Sequence, residues 1–311
     1  MLIKKNIYKA LLIILFGFVS SVEAANKYWI ATNDGTEKDF SDSANWEYAN
    51  GNSANAPGKN DIAIFDGNGL SSVKLTKYVK VNKLKVLNAY SGTINLDGFQ
   101  LASIKGPLIA GGKVEVNGGF LQTWGWTYIQ SGGEVDASAS GSRIKIGHNI
   151  SIRNGGTLTA PDGDSSRFIV KGGFNIESGG VFYHNSGTVT MTTKWNAAIR
   201  IDDGPGTGRN FYNLNKTGPR HATLTTNDIE VKNDVTIIGT GSIKAQSNDI
   251  TIGGDWTLNT ANNFNAGTGK VIFNGSSQTI SWPTSNSRKF KHLQISNNSV
   301  VSLAKYTSIS G

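Results

Sequence analysis

The sequence predicts an all-β protein built as a right-handed parallel β-helix, a solenoid whose short strands stack coil upon coil. Two observations predict this fold: a glycine-pair motif recurs at the spacing of one coil, and no segment after residue 24 combines helical periodicity with helix caps. The composition agrees, because 38 glycines and only 6 prolines in 311 residues suit short strands joined by tight turns. The right hand follows the general rule for parallel crossovers.

Residues 1–24 have the layout of a secretory signal peptide. Three lysines precede an apolar run from about residue 10 to residue 19, and Val22 and Ala24 occupy positions −3 and −1 of a small-residue cleavage site. The run is shorter than a membrane-spanning helix requires. We therefore expect cleavage after about Ala24 and a secreted or cell-surface location. The sequence contains no Cys, so burial and backbone pairing must stabilise the exported chain without disulfides.

Residues 25–70 differ from the rest of the chain. They lack the glycine-pair motif and are rich in Asn, Asp and aromatic residues. A solenoid needs a cap because a bare first coil exposes strand edges and apolar core. We predict an irregular N-terminal cap whose buried aromatic residues cover the first coil: Trp29, Phe40, Trp46 and Phe65.

Residues 71–167 are predicted to form β-helix coils of about 21–24 residues. The pattern Ile-x-polar-Gly-Gly-x-apolar occurs at 129–135, 152–158 and 176–182, with a looser copy at 108–114. Glycine permits the positive φ of a sharp turn, so each copy indicates strand, turn, strand. An antiparallel sandwich gives no reason for a turn to recur at one-coil spacing.

A longer repeat of about 80 residues is predicted over 168–311. Segment 168–191 parallels 250–273, and 210–218 parallels 289–297. The second copy is incomplete, since the sequence stops inside it. We therefore expect further repeats of the same protein, or a stacking partner, at the C-terminal end.

Two stretches carry a resemblance to a known group of proteins. The string W…F-S-D-x-x-N-W…P-G-x-N-D-x-A-x-F, at Trp29, 40–46 and 57–65, resembles the start of many large secreted bacterial surface proteins. The segment 264–280 followed by 290–296 resembles a repeat of the same proteins. The resemblance implies an extracellular parallel β-helix with an adhesin-like or autotransporter-like role, and it implies no catalytic residue.

Three aromatic residues spaced two apart form a predicted outward row. Ile129 occupies the repeat position of Ile152, whose polar neighbours mark it as buried. Counting back by twos from Ile129 places threonines and a glycine inside, and the outward set is Gln122, Trp124, Trp126, Tyr128 and Gln130. Such rings can stack on sugars while the glutamines bond hydroxyl groups, so we predict a site for a polysaccharide or cell-surface glycan. Two alternatives remain open: another part of the chain covers the aromatic row, or a protein partner binds it.

The basic residues favour a solvated surface. The formal net charge of +8 falls to about +6 after removal of residues 1–24. Lys74, Lys80, Lys83 and Lys85 alternate with apolar residues, and we interpret them as a solvated strand face in preference to an anion-binding strip. Lys and Arg are otherwise scattered without a recognition motif, so nucleic acid is not an expected partner.

The enzymatic alternative is a β-helix polysaccharide lyase or glycoside hydrolase. Its weak catalytic candidates are Asp202, Asp203 and Arg209, because hydrolysis uses two carboxylates. Adjacent carboxylates point to opposite sides of a strand, so catalysis would need them on a turn. The strings Arg-Ile-Lys and Gly-His within 142–150 resemble two polygalacturonase signatures but stand in the wrong order. His148 is in phase with the buried isoleucines, which favours a histidine in a turn or bulge. On balance we favour a non-enzymatic protein.

No cofactor or metal site is predicted. Segments 33–42 and 160–168 contain enough oxygen-bearing side chains to wrap Ca²⁺. Neither matches a calcium-loop or nonapeptide pattern, and clusters of Asp, Gly and Ser are usually turns.

Overall fold

The computed structural model describes residues 24–259, 264–282, 290–296 and 298–304. The predicted signal peptide lies outside the described residues except for Ala24. The described chain is nearly all-β, with 34 strands, one 3-10 turn at Ser43–Asn45 and no α-helix within those ranges. None of the described residues belongs to a helix with the length and apolar character needed to cross a membrane.

The strands are short, as expected for solenoid coils. The first nine are β1 (Asn26–Trp29), β2 (Lys38–Asp39), β3 (Trp46–Tyr48), β4 (Ile62–Phe65), β5 (Val73–Lys74), β6 (Val79–Val81), β7 (Lys83–Val86), β8 (Thr93–Asn95) and β9 (Gln100–Ser103). The next twelve are β10 (Leu108–Ile109), β11 (Lys113–Glu115), β12 (Phe120–Thr123), β13 (Thr127–Ile129), β14 (Glu134–Asp136), β15 (Arg143–Ile146), β16 (Ile150–Ile152), β17 (Thr157–Thr159), β18 (Phe168–Val170), β19 (Phe174–Ile176), β20 (Val181–Tyr183) and β21 (Thr188–Met191). The rest are β22 (Ala197–Ile201), β23 (Asn213–Lys216), β24 (Ala222–Leu224), β25 (Ile229–Val231), β26 (Val235–Ile237), β27 (Ile243–Lys244), β28 (Ile250–Ile252), β29 (Trp256–Leu258), β30 (Phe264–Asn265), β31 (Lys270–Phe273), β32 (Ser277–Ser281), β33 (His292–Ile295) and β34 (Val300–Ala304).

These strands form sheets of 12, 11, 7 and 4 strands that run along the stack. One coil visits the 12-stranded sheet, then the 7- or 4-stranded sheet, then the 11-stranded sheet, as β13, β14 and β15 do. Apart from β3, each strand pairs in parallel with its equivalent one coil away, so Thr127 lies beside Ile150 and Glu134 beside Thr157. About ten coils stack in this way. The predicted parallel β-solenoid is confirmed.

The core is a set of apolar columns along the stack. Ile109, Ile129, Ile152 and Ile176 are aligned by the pairing register and are all essentially inaccessible to solvent. Full burial of such a side chain contributes about 1.5–3 kcal/mol. Because each coil buries its apolar side chains only against its neighbours, stability is gained by stacking.

The two glycines of each pair have different tasks. The first of each pair, at Gly132, Gly155 and Gly179, has φ between +73° and +87° at the third position of a tight turn. The second lies against the preceding coil, where a Cβ on Gly156 would be 2.2 Å from the carbonyl oxygen of Ile129. The motif therefore recurs once per coil because both the turn and the close approach of coils require glycine.

Residues 25–70 lie at one end of the stack. β3 pairs with β1 antiparallel at the edge of the 12-stranded sheet, whereas β1 pairs with β4 in parallel. The four predicted aromatic residues are all buried, with neighbouring ring centroids 4.9–6.3 Å apart. A cap role for this segment, and the boundaries at 70 and 167, stay predictions.

The two copies of the longer repeat lie on different faces. β18 and β21 of the first copy belong to the 11-stranded sheet, but their counterparts β28 and β31 belong to the 4-stranded sheet. Likewise β19 lies in the 12-stranded sheet and β29 in the 11-stranded one. The sequence similarity thus reflects a common strand-and-turn pattern that is displaced by one face of the coil.

Candidate functional site

The predicted aromatic row faces outward. Trp124 and Trp126 are 40% and 42% exposed, and Tyr128 is half-buried. Thr123 and Thr127 point into the core, where their hydroxyl oxygens lie 3.0 Å apart and form a hydrogen bond. A hydroxyl buried among apolar residues is costly without a partner, and each of these two hydroxyls provides a partner for the other. The alternation inferred from the isoleucine positions is therefore confirmed.

The chain does not run straight through this row. β12 ends at Thr123 and β13 begins at Thr127, so the tryptophans lie at the corner between the 11- and 12-stranded sheets. A Cβ on Gly125 would lie 2.3 Å from the carbonyl group of Lys105 in the preceding coil. Glycine is needed there because the two backbones approach so closely. The three aromatic residues consequently do not form one flat platform along a strand.

Each ring of the row has neighbours inside the chain. The Trp124 ring centroid is 5.0 Å from the Lys80 Nζ, and the Arg153 guanidinium lies 4.3 Å from the Tyr128 ring centroid. The rings of Trp126 and Tyr128 stack with centroids 6.0 Å apart. Neighbouring side chains thus cover part of each ring, although the tryptophans keep about two-fifths of their surface exposed.

The two glutamines of the predicted site also have partners. Gln122 accepts a hydrogen bond from the Gln100 side chain at 2.9 Å, and Gln130 accepts one from Arg153 at 3.3 Å. Each side-chain amide retains further donor and acceptor capacity, since an amide can make four hydrogen bonds.

The aromatic surface continues along the solenoid onto residues that the sequence reasoning did not include. The His148 ring stacks on Trp126 at 5.0 Å, and Trp195 packs on His148 at 4.6 Å. Trp195 is 38% exposed. We call Tyr128, Trp126, His148 and Trp195 the aromatic stack. His148 lies in the turn between β15 and β16, as its sequence context favoured, and its ring belongs to the outer surface.

Two glycines explain how Trp195 reaches His148. These residues precede β22 and β16, which are separated by β19 and therefore by two strand spacings, or about 9.6 Å. The intervening coil carries Gly172 and Gly173 at this corner, so no side chain stands between the two rings. A Cβ on Gly172 would lie 2.3 Å from the Asn149 Oδ1. The Trp195 ring extends over this coil, which has glycines at the corner, and contacts the His148 ring.

The three catalytic candidates lie together in and beside a turn. Both carboxylate oxygens of Asp202 accept hydrogen bonds from Arg200, at 2.5 and 2.6 Å. Asp203 accepts a hydrogen bond from the Gly179 amide at 3.0 Å and lies 3.9 Å from the Arg209 guanidinium. The bond from Gly179 is the main cause that lowers the pKa of Asp203. A general acid needs a raised pKa, so Asp203 does not suit that role.

A groove of about 600 Å³ lies on the face of the solenoid that the 7-stranded and 4-stranded sheets form in succession, at the point where this face is interrupted. The 7-stranded sheet ends at β20 and the 4-stranded sheet begins at β25, with the loop 202–212 between them. Tyr183, His184 and the Glu230–Lys232 ion pair line the groove. Burial lowers the pKa of His184, whose Nδ1 accepts a hydrogen bond from the Ser186 amide. No sequence motif marks this groove, because an interruption of one face does not follow from a local pattern.

The lysines of 73–87, interpreted as a solvated strand face, are divided among three faces. Lys74 lies on β5 in the 7-stranded sheet, Lys80 on β6 in the 11-stranded sheet, and Lys83 and Lys85 on β7 in the 12-stranded sheet. The lysines do alternate with buried residues, but each short strand ends before a continuous strip can form.

The two calcium candidates form turns. Asp34 accepts hydrogen bonds from Thr36 and Lys38, and Asp164 accepts them from Ser166. Across the ranges that the structure describes, no three His, Asp or Glu side chains are grouped so that they could hold a metal ion.

No protein-family model, no curated protein and no solved structure matches this chain.

Proposed function

We propose that this protein is a secreted or cell-surface solenoid with an adhesin-like or structural role that binds glycans through the aromatic stack and Trp124. The observation that carries the proposal is a set of tryptophans held outward on a stacked scaffold, with Trp124, Trp126 and Trp195 each 38–42% exposed. Exposed aromatic surface of this kind marks interaction sites.

The scaffold suits a long, repetitive ligand. The aromatic stack crosses four adjacent strands of the 12-stranded sheet, from β13 to β22, which corresponds to about 14 Å along the solenoid. Its rings are fixed by stacking on one another, so little side-chain freedom is lost when a ligand binds. A glycan chain that lies along the solenoid axis would contact several rings at once.

The extracellular location rests on the signal-peptide pattern of residues 1–24 and on the resemblance to bacterial surface proteins. Both are properties of the sequence. A chain without Cys needs no disulfides outside the cell when its coils are held together by burial and backbone pairing.

Affinity electrophoresis through gels that contain neutral or acidic polysaccharides tests the proposal. The Trp126→Ala/Trp195→Ala variant should lose at least about tenfold in affinity for the glycan that retards the wild type, because buried aromatic contacts dominate binding energy. Tyr48→Ala/Phe99→Ala is the matched control, since these rings are 37% and 40% exposed on other parts of the surface. Unchanged retardation of the tryptophan variant, with a native circular dichroism spectrum, would refute glycan binding at this site.

A further inference from the structure

Three lysines follow the aromatic stack in successive coils. The Lys171 amide donates a hydrogen bond to the Ile146 carbonyl at 2.9 Å, directly after Lys145. The Lys194 amide donates one to the Lys171 carbonyl at 3.2 Å. The register nevertheless offsets them: Lys145 pairs with Ile169, two residues before Lys171, and Lys194 follows by two residues Thr192, whose amide donates to the Val170 carbonyl. The three lysines therefore form an oblique row from β15 to the corner of the solenoid, near enough for the charges of Lys145 and Lys194 to act on Lys171. We call them the lysine column.

The lysine column meets the aromatic stack at this corner. Lys145 and His148 belong to one coil, Lys194 precedes Trp195 directly, and Lys171 precedes the glycines over which Trp195 leans. Lys80 adds a further ammonium group against the ring of Trp124. Cations and rings thus lie beside one another at this corner and on the strand that leads into it.

The positive charge of the column is not compensated. None of its lysines forms an ion pair with a described Asp or Glu side chain, although nine such pairs occur elsewhere in the described ranges. The corner segments 104–107, 124–126, 147–149, 171–173 and 192–196 contain no Asp or Glu. Burial and the like charges of Lys145 and Lys194 lower the pKa of Lys171. An anion at this corner would relieve the repulsion.

We infer that the ligand of this surface is a polyanionic glycan, carrying carboxylate or sulfate groups, that lies along the corner with its charges against the lysine column and its sugar rings against the aromatic stack. The inference rests on the proposed glycan binding and adds its chemical class. A neutral glycan would leave three ammonium groups uncompensated, whereas a polyanion pairs with them and displaces their counterions. We favour a glycan over single-stranded nucleic acid because the signal-peptide pattern of residues 1–24 predicts an extracellular chain.

The test compares a neutral polysaccharide with a carboxylated derivative of the same backbone, hydroxyethyl-cellulose against carboxymethyl-cellulose, with polygalacturonate, heparin and oligo-dT as further probes. The wild type should bind at least one anionic glycan more tightly than the neutral polymer. Lys145→Gln/Lys171→Gln/Lys194→Gln should weaken that binding about tenfold at low salt, since each exposed ion pair contributes a factor of about 2 to 5. The variant should also show a smaller salt dependence.

Lys74→Gln/Lys244→Gln/Lys270→Gln is the matched control, because it removes the same charge from three other strands. An equal loss in this control would show a general charge effect and overturn the inference. The inference would also be wrong if neutral and anionic polymers bound equally well and the column variant had no effect. That result would leave the proposed glycan binding intact. If oligo-dT bound more tightly than every glycan, the ligand class would be single-stranded nucleic acid and the inference would be wrong. Retardation by no polymer would instead refute the proposed function itself.

Discussion

Lys216 offers the most direct test of the energetics of this solenoid. It lies at the end of β23, where the register places it between Met191 and Ile237, and its side chain is completely buried. Its Nζ donates a hydrogen bond to the Gly218 carbonyl at 2.7 Å, and none of the described carboxylates pairs with it. Burial lowers the pKa of Lys216 from 10.5 to about 8. We predict that Lys216→Met stabilises the protein at neutral pH.

The magnitude follows from proton linkage. Each pKa unit corresponds to about 1.36 kcal/mol, so a charged Lys216 costs the folded state about 3 kcal/mol at pH 7. Loss of the hydrogen bond to Gly218 offsets about 1 kcal/mol, and the Gly218 carbonyl keeps a second donor in the Gly241 amide. The expected net gain for the methionine variant near pH 7 is therefore about 2 kcal/mol.

The sign of the pH dependence is opposite to that of a paired lysine. Below pH 8 both states carry the charge and the penalty is complete. Between about pH 8 and 10.5 the folded state loses its proton before the unfolded state does, so the stability of the wild type rises with pH. About 2 kcal/mol of the penalty should disappear by about pH 9.5, where the variant and the wild type become equally stable.

Guanidinium denaturation near pH 7 and near pH 9.5 gives the free energy of unfolding of the variant and of the wild type, and the difference between the two values measures the effect. Working below pH 10 avoids ionisation of tyrosines, among which Tyr90 has a pKa raised by burial. Lys270→Met, at an exposed position on β31, is the control and should change stability little at either pH. A variant that is less stable than the wild type near pH 7, or a difference that does not change with pH, would refute the reasoning.

Two further predictions concern the glycine pairs and the enzymatic alternative. Gly156→Ala should destabilise the protein by about 1–3 kcal/mol because its Cβ meets the Ile129 carbonyl, and Gly155→Ala by about 1–2 kcal/mol because of its positive φ. Denaturation midpoints should then show that Asn is tolerated better at Gly155 than at Gly156, and the reverse order would contradict the division of tasks. Incubation with uronic-acid polymers should yield no unsaturated or reducing-end products that depend on Asp202 and Asp203. Turnover lost in both alanine variants would instead establish catalysis at this turn.

Much of the fold could be predicted from local pattern. The alternation of apolar and polar residues around Ile152, transferred to Ile129 through the glycine-pair motif, placed Trp124 and Trp126 outside and Thr127 inside. This works because side-chain direction in a strand has a period of two and is independent of what the strand pairs with. The glycine pairs likewise mark turns through backbone conformation, which is a local property.

The composition of the candidate site could be predicted only in part. Trp126 and Tyr128 are neighbours in sequence, but His148 and Trp195 join them from coils one and three strands away in the same sheet. Nothing in the spacing of these residues marks them as partners, since Trp195 reaches His148 only because Gly172 leaves the intervening corner bare.

Local sequence patterns were sufficient to predict a parallel β-solenoid, the turns at its glycine pairs, and the buried side of the strands that flank them. The residues that meet along the stack could be identified only from the three-dimensional structure. The reason is that contacts between coils depend on the summed lengths of all the intervening turns, which vary from coil to coil. The two similar segments 168–191 and 250–273 consequently lie on different faces, and the corner that unites the aromatic stack with the lysine column has no counterpart in any local pattern.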